Sequence, residues 1–122
     1  PQPFSAAALA HMRLSPEDFD DALTQAEFCH QWSHFLRRHD VLIVYHQRTF
    51  QLLQHVEAAQ PRCLVLKSVF GKWQGDFRSM EELMAIEEVA FAPSEDESRA
   101  NQRLDMAVAL VEHLRVRFGN PR

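Results

Sequence analysis

The chain has few of the residues that build several common kinds of site. It contains only three glycines, and they form neither a glycine-rich phosphate loop nor the Gly-x-Ser-x-Gly turn of a hydrolase nucleophile. No apolar run approaches the roughly 18 residues that span a bilayer, so we expect no membrane partner. With only two cysteines, Cys29 and Cys63, the sequence offers no disulfide framework. We expect both to be buried, reduced thiols in a cytoplasmic protein, with a disulfide between them as the alternative.

What is present is typical of one globular domain. Hydrophobic residues make up 46% and charged residues 25% of the 122 residues, an ordinary composition for a packed domain. The length predicts a single domain over residues 1–122. The net charge of −4 disfavours a general nucleic-acid surface, although metal ions at a site can neutralise phosphates in an acidic protein.

The middle of the chain predicts a strand–helix–strand unit. Thr24–Arg38 opens on a capping box and carries an apolar stripe, which indicates a helix. Val41–Tyr45 and Cys63–Leu66 are β-favouring runs, interpreted as strands buried on both faces. An extension of the second strand to Phe70 is an alternative. A helical pattern near residues 50–56 lies between them, so the two strands should be parallel.

The flanking segments complete an α/β prediction. We expect Pro1–Leu14 to be extended, Gly71–Arg78 to be a loop and Glu87–Ser98 to be an acidic loop. Short helices are predicted from Ser15 and Ser79, where a capping residue stands. The longest helix is predicted over Arg99–Phe118, with one face formed by Leu104, Ala107, Val108, Val111, Leu114 and Phe118. The fold class is therefore α/β, a small parallel sheet covered by four or five helices.

The segment Asp40–Leu53 resembles the second motif of the DEDDh-type 3′–5′ exonucleases, the group of the DNA polymerase III proofreading subunit and ribonuclease T. Its apolar strand ends in His46 and Gln47, where the family has His-Asn. Phe50 and Gln51 then follow, where the family has Phe and a metal-binding Asp. Three further segments resemble family segments in the same order: residues 11–18, 79–90 and 100–107. The resemblance implies a partial ribonuclease H-like fold that lacks the first strands of the family.

The family mechanism needs residues that this chain lacks. Exonucleases of this type hold two magnesium ions with carboxylates and use a histidine as general base. Asp105 matches the third-motif acid, but Gln51 is a neutral amide, Ala100 replaces the histidine, and the first-motif Asp-x-Glu has no counterpart. One carboxylate cannot hold two magnesium ions. The resemblance thus implies a degenerate domain without a cofactor. If the protein is active, magnesium or manganese is the cofactor, Asp105 and His46 are the catalytic residues, and Asp105 is a metal ligand.

We interpret five residues as candidates for contact with single-stranded nucleic acid. They are His46, Gln47 and Gln51 at the strand end, and Lys72 and Trp73 in the predicted loop. An aromatic ring beside a lysine suits base stacking and phosphate contact. The alternatives are structural: His46 caps a strand or bonds a backbone carbonyl, and the Trp73 ring packs over the core. Asp105 could likewise be a surface acid or a partner of Arg99 or Arg103.

A strand at Val41–Tyr45 with no strand before it would leave an open sheet edge, which proteins seldom tolerate. We expect a partner chain, a second copy, or an upstream segment to cover it, because a chain that begins at Pro1 suggests a piece of a longer protein. The leading hypothesis is a non-catalytic exonuclease-like module acting in nucleic-acid processing or assembly. The alternatives are the carboxyl-terminal part of an active metal-dependent exonuclease, and a protein–protein interaction domain unrelated to nucleic acid.

Overall fold

The computed structural model describes residues 5–92 and 94–119. In these ranges the chain forms six α-helices, one 3₁₀ turn and two strands. In chain order they are α1 (Ala6–Met12), the 3₁₀ turn (Pro16–Phe19), α2 (Gln25–Phe35), β1 (Val41–Val44), α3 (Gln47–His55), β2 (Arg62–Val65), α4 (Leu66–Gln74), α5 (Met80–Ile86) and α6 (Arg99–Phe118). The predicted mixed α/β class is confirmed.

The two strands form a parallel sheet joined through α3, as predicted. Val41 pairs with Arg62 and Val44 with Val65, so both strands begin at one end of the sheet and finish at the other. Because side chains alternate along a strand, paired residues share a face. One face carries Leu42, Val44, Cys63 and Val65, and the other carries Val41, Ile43, Arg62 and Leu64.

The prediction that both faces of the strands are buried is wrong. Val44 is buried at 6% exposure, whereas Val41 is 51% and Ile43 40% exposed. Leu64, opposite Ile43, is 36% exposed. The apolar run was correctly identified as a strand, but the described residues cover only the face that bears Val44. Burial depends on a second layer that the strand's own sequence does not specify.

The described residues fall into two compact units. The unit of residues 23–80 contains the sheet and helices α2 to α4. Its buried apolar side chains are Val44, Ala58, Leu66, Phe70, Phe77 and Met80. The second unit comprises residues 5–22 and 81–119 and places α1 against α6. Its buried apolar side chains are Leu9, Leu83, Met84, Met106 and Leu110. Whether residues 1–122 make one exonuclease-like domain stays a prediction.

The amino-terminal segment is helical over Ala6–Met12, so the prediction of an extended Pro1–Leu14 is wrong there; residues 1–4 lie outside the described ranges. Ser5 caps this helix, its hydroxyl oxygen accepting a hydrogen bond from the Ala8 backbone N–H at 3.1 Å. Four of the seven helical residues are alanine, the strongest helix former. Leu9 supplies the buried contact. Cap and propensity together decide the local structure.

Helix α4 replaces two predicted features, the extension of the second strand to Phe70 and the loop over Gly71–Arg78. The strand ends at Val65, and the Lys67 N–H donates to the Tyr45 carbonyl at 2.9 Å. Leu66 and Phe70 then bury on one helical face at 0% exposure. The helix ends at Gly75, whose φ of 71° suits a residue without a Cβ. Gly71 within the helix does not break it.

The apolar face predicted for α6 is also wrong. Met106 and Leu110, one turn apart, are the buried residues. Leu104 and Val108 are 61% and 53% exposed, and Phe118 is 65% exposed. The helix bounds themselves agree with the prediction, and the Ser98 hydroxyl caps the start by accepting from the Asn101 N–H at 3.2 Å. Apolar residues lie nearly all round this helix, so periodicity alone does not select the buried side.

Candidate functional site

The carboxyl end of β1 holds three of the predicted site residues. His46 is the N-cap of α3, and its ring Nδ1 accepts a hydrogen bond from the Arg48 backbone N–H at 3.0 Å. Gln47 opens the helix and Gln51 follows one turn later, both exposed. The structure therefore brings His46, Gln47 and Gln51 together at one helix end. His46 therefore has a structural role as a capping residue. The structural alternative for His46 predicted a cap on a strand, whereas the residue caps a helix.

The chemistry of this end is neutral. Helix α3 has no acidic residue in its first turn, and Gln51 offers only an amide where a metal needs an anion. Among residues 5–92 and 94–119 no group of three or more His, Cys, Asp or Glu side chains could hold a metal ion. Nothing at the end of β1 in the described chain thus resembles a two-metal nuclease centre.

Lys72 and Trp73 lie on α4 and not in a loop, which corrects their predicted setting. The Trp73 ring packs against Phe70, with centroids 5.0 Å apart and planes at 53°. Trp73 is half-buried, while Lys72 is exposed. Phe70 is a fully buried core residue, so Trp73 extends the core outward. This arrangement favours the packing interpretation of Trp73 over base stacking.

Asp105 lies on α6, in the other unit, and is exposed. A side-chain hydrogen bond in which protonated Glu97 donates to the Asp105 carboxylate raises the pKa of Glu97 above its ordinary value, with desolvation and charge repulsion from Asp105 as smaller causes. One of the two arginines considered as its partner, Arg103, instead pairs with Glu81 at 3.2 Å. Asp105 therefore belongs to a pair of surface acids.

The amino ends of the two strands form a cationic cleft that sequence reasoning missed. A cavity of about 370 Å³ there is lined by residues 36–40 and 59–62. Arg37, Arg38 and Arg62 bring its positive charge. The one acid, Asp40, accepts a hydrogen bond from the Arg37 backbone N–H at 2.8 Å. The signal was present in the sequence: Arg37–His39 precede β1, Arg62 opens β2, and parallel strands start side by side.

A second concavity, of about 450 Å³, lies between α2, β1 and α3 and is almost wholly apolar. It is lined by Phe28, Trp32, Leu42, Val44, Thr49, Leu52, Leu53 and Val56. Three side-chain bonds hold α2 beside it: Trp32 Nε1 donates to the Ala59 carbonyl at 2.7 Å, and both Gln25 Nε2 (3.1 Å) and Cys29 Sγ (3.3 Å) donate to the Val56 carbonyl. The other thiol, Cys63, has its pKa raised by burial.

No protein-family model, curated protein or solved structure matches the chain. The likeness to DEDDh-type exonucleases therefore stays a prediction from the quoted motifs. In the described ranges no helix combines the length and apolarity needed to cross a membrane.

Proposed function

We propose that this chain is a non-catalytic assembly module, related to the DEDDh-type exonucleases, that pairs with a second copy of itself through β1. The observation that carries the proposal is the uncovered edge and face of β1. Val41 and Ile43, both β-branched, are 51% and 40% exposed in a strand of only four residues.

The edge favours a strand as the binding partner. In the described ranges β1 is bonded to β2 alone, within a sheet of two strands. An outer strand presents backbone N–H and C=O groups that another strand can bond. Small sheets gain stability from a third and fourth strand, since two strands alone are marginal in water. A second β1 would supply the bonding groups, and its side chains would contact those of the first strand across the new strand pair.

A second copy fits because β1 is compatible with itself. Its sequence, Val41-Leu42-Ile43-Val44, contains no charge. An antiparallel pair about a two-fold axis would therefore set apolar residues opposite apolar residues, with no like charges facing each other. The resulting sheet would have four strands, a common size, and would continue the apolar face of Val41, Ile43 and Leu64 across the axis.

The absence of catalysis follows from the residues at the motif positions. Gln51 and Ala100 can supply neither an anion nor a proton acceptor, and Asp105 shares a hydrogen bond with Glu97. The parallel strand–helix–strand unit and the capped helix after His46 are compatible with the exonuclease kinship. We expect no magnesium- or manganese-dependent digestion of a labelled single strand. Digestion that Asp105→Asn abolishes would establish the active-enzyme alternative.

Sedimentation velocity tests the assembly. We expect the wild-type chain to be a dimer and Ile43→Lys to be a monomer, because a lysine on a strand edge opposes pairing. Val116→Lys is the matched control, since Val116 is 84% exposed on α6 and receives the same charge. Circular dichroism verifies that both variants keep their helices. A wild-type monomer, or a dimer that Ile43→Lys leaves intact, would contradict the proposal.

A further inference from the structure

The cleft at the amino ends of β1 and β2 concentrates unpaired positive charge in an acidic chain. The chain carries a net charge of −4, yet Arg37, Arg38 and Arg62 all line one cavity. None of these three guanidinium groups has an ion pair within the described residues. Arg103 and Arg115, by contrast, pair with Glu81 and Glu112. Arg13, Arg48 and Arg99 also lack a salt bridge among the described residues, but the cleft groups three such arginines around one cavity.

The fold brings these arginines together from two separate segments. The sheet register sets Arg62 beside Val41, the first residue of β1. Arg37 and Arg38 precede β1 in the turn that leaves α2. The carboxylate of Asp40 is engaged with the Arg37 backbone N–H, so it fixes the turn and does not pair with a guanidinium. His39 adds a further ring at the same place.

The ligand class follows from the chemistry of the lining. The planar guanidinium fork of arginine binds phosphate oxygens through two parallel hydrogen bonds. Three such groups around a cavity of about 370 Å³ leave room for a phosphate and its sugar. Nothing in the lining offers a second anion to compete, apart from the engaged Asp40.

An exposed aromatic residue that directly precedes the cleft lining in the chain points to a base as well as a phosphate; the lining itself begins at Leu36. Phe35, the last residue of α2, is 72% exposed and stands two positions before Arg37. Its ring stacks on Trp32, with centroids 5.9 Å apart and planes at 24°, which supports it from behind. An exposed phenyl ring that is close in the chain to a group of arginines offers a surface on which an unpaired base can stack.

We propose that Phe35, Arg37, Arg38 and Arg62 bind single-stranded nucleic acid at the amino end of the sheet. This site lies at the opposite end of β1 from His46, the end that the exonuclease resemblance would use. It is also separate from the β1 edge, and its readout is oligonucleotide binding and not sedimentation. Failure of one proposal is therefore distinguishable from failure of the other.

Fluorescence anisotropy of a labelled 12-nucleotide deoxythymidine strand tests the site. We expect binding at 50 mM salt that weakens as salt rises, with a log–log slope near −2, because each neutralised phosphate of a single strand contributes about −0.7. Arg62→Gln should reduce the slope by about one such contact. The triple variant with glutamine at 37, 38 and 62 should lose salt-dependent binding. Phe35→Ala should weaken binding by about 5- to 150-fold, the range for loss of one stacked base.

Matched controls locate the effect. Arg115→Gln removes an exposed arginine that is already paired on α6, and Arg48→Gln removes one at the His46 end of the sheet. Both should bind as wild type does. No binding by wild type, or binding unchanged in the triple variant, would overturn the proposal. If only Arg48→Gln abolishes oligonucleotide binding, the site lies at the opposite end of β1, and the proposal is likewise overturned.

Two competitors in the same assay distinguish a site for a nucleic-acid strand from a site for a smaller phosphate ligand. Inorganic phosphate and thymidine monophosphate should displace the labelled strand only at far higher phosphate concentration than unlabelled strand does. Equal displacement by the monophosphate would mean a nucleotide pocket, which contradicts a strand site. A further contrary result is a 12-base-pair duplex that binds as tightly as the single strand while Phe35→Ala leaves the affinity unchanged. These two results together would indicate a general polyanion-binding surface and would also overturn the proposal.

Discussion

The buried carboxylate of Glu87 provides the sharpest test of how the helical unit is held together. Its side chain is only 2% exposed, although glutamate is among the residues least often buried. Oε1 lies 3.0 Å from Arg117 Nη1 and 3.2 Å from His113 Nε2, and Oε2 lies 3.3 Å from the same Arg117 nitrogen. The Arg117 side chain is 45% exposed, so the anion is the buried partner and the cation reaches water.

This asymmetry predicts unequal costs for removing the two partners. Arg117→Met leaves a buried anion with less positive charge beside it, and breaking a buried pair in this way costs about 3–5 kcal/mol. Because His113 still contacts Glu87 and the pair is open on the Arg117 side, we discount this to about 2 kcal/mol of unfolding free energy. Glu87→Met removes the buried charge itself and lets Arg117 return to water, so its cost should be under about 1 kcal/mol.

Urea denaturation followed by circular dichroism measures the difference. Arg115→Met is the matched control, because Arg115 is on the same helix and pairs with Glu112 at the same 3.0 Å, but both of those side chains are more than half exposed. Its effect should be within about 0.5 kcal/mol of zero. The double variant Glu87→Met/Arg117→Met should be more stable than Arg117→Met alone. Equal costs for Arg117→Met and Arg115→Met would refute the reasoning.

Three further predictions concern the core and the titrating groups. Phe70→Ala, at a position with 0% exposure, should lower the unfolding free energy by about 3–5 kcal/mol, whereas Phe35→Ala at 72% exposure should change it little; urea titration compares them. Because the pKa of Glu97 is raised in the folded protein, its contribution to stability is present in acid and is lost as the pH rises through that pKa. Asp105→Asn should lower the pKa of Glu97 in a carboxyl NMR titration, and an unchanged value would contradict the hydrogen bond as its cause. Burial raises the pKa of Cys63, so in a variant without the other cysteine it should react with iodoacetamide more slowly than free cysteine at pH 8; equal rates would count against its burial.

Local signals predicted the local structure well. The Thr24–Glu27 capping box is formed, with the Thr24 hydroxyl accepting from the Glu27 N–H at 3.1 Å and the Thr24 N–H donating to the Glu27 carboxylate at 3.3 Å. The parallel pairing of β1 and β2 followed from the length of the segment between them. Both features depend on neighbours within a few residues or on chain length, which a sequence displays directly.

Features that depend on tertiary packing could not be obtained this way. The two flanking glycines predict a loop at Trp73, yet burial of Leu66 and Phe70 on one face extends α4 through Gly71. Phe35 is an apolar residue of the helix predicted over Thr24–Arg38 but is exposed, because α2 ends there and Leu36 has an extended ψ of 137°. In both cases the local pattern does not specify which side chains the folded structure buries.

Part of the candidate site could likewise be predicted from the sequence, and part of it depends on tertiary structure. His46 was found because it follows an apolar run, and its alternative as a capping residue is the one that its hydrogen bond to the Arg48 N–H favours. The arginine cleft was overlooked because Arg37 and Arg38 have an adequate local explanation as charges at a helix end. The strand register places Arg62 beside the start of β1, close to Arg37 and Arg38. The cluster of three arginines is therefore visible only once the register is known.

The charge at the two ends of the sheet supports binding without catalysis. A metal-dependent nuclease needs anions to hold the cations that neutralise its substrate, so its site is acidic before the metal enters. The carboxyl end of β1 offers His46, Gln47 and Gln51, which together supply no anion. The amino end offers three guanidinium groups that neutralise phosphate directly and need no metal. If the proposed site binds a strand without catalysis, adding manganese should change neither the affinity for the labelled strand nor its length, and shortening of the strand would contradict the proposal.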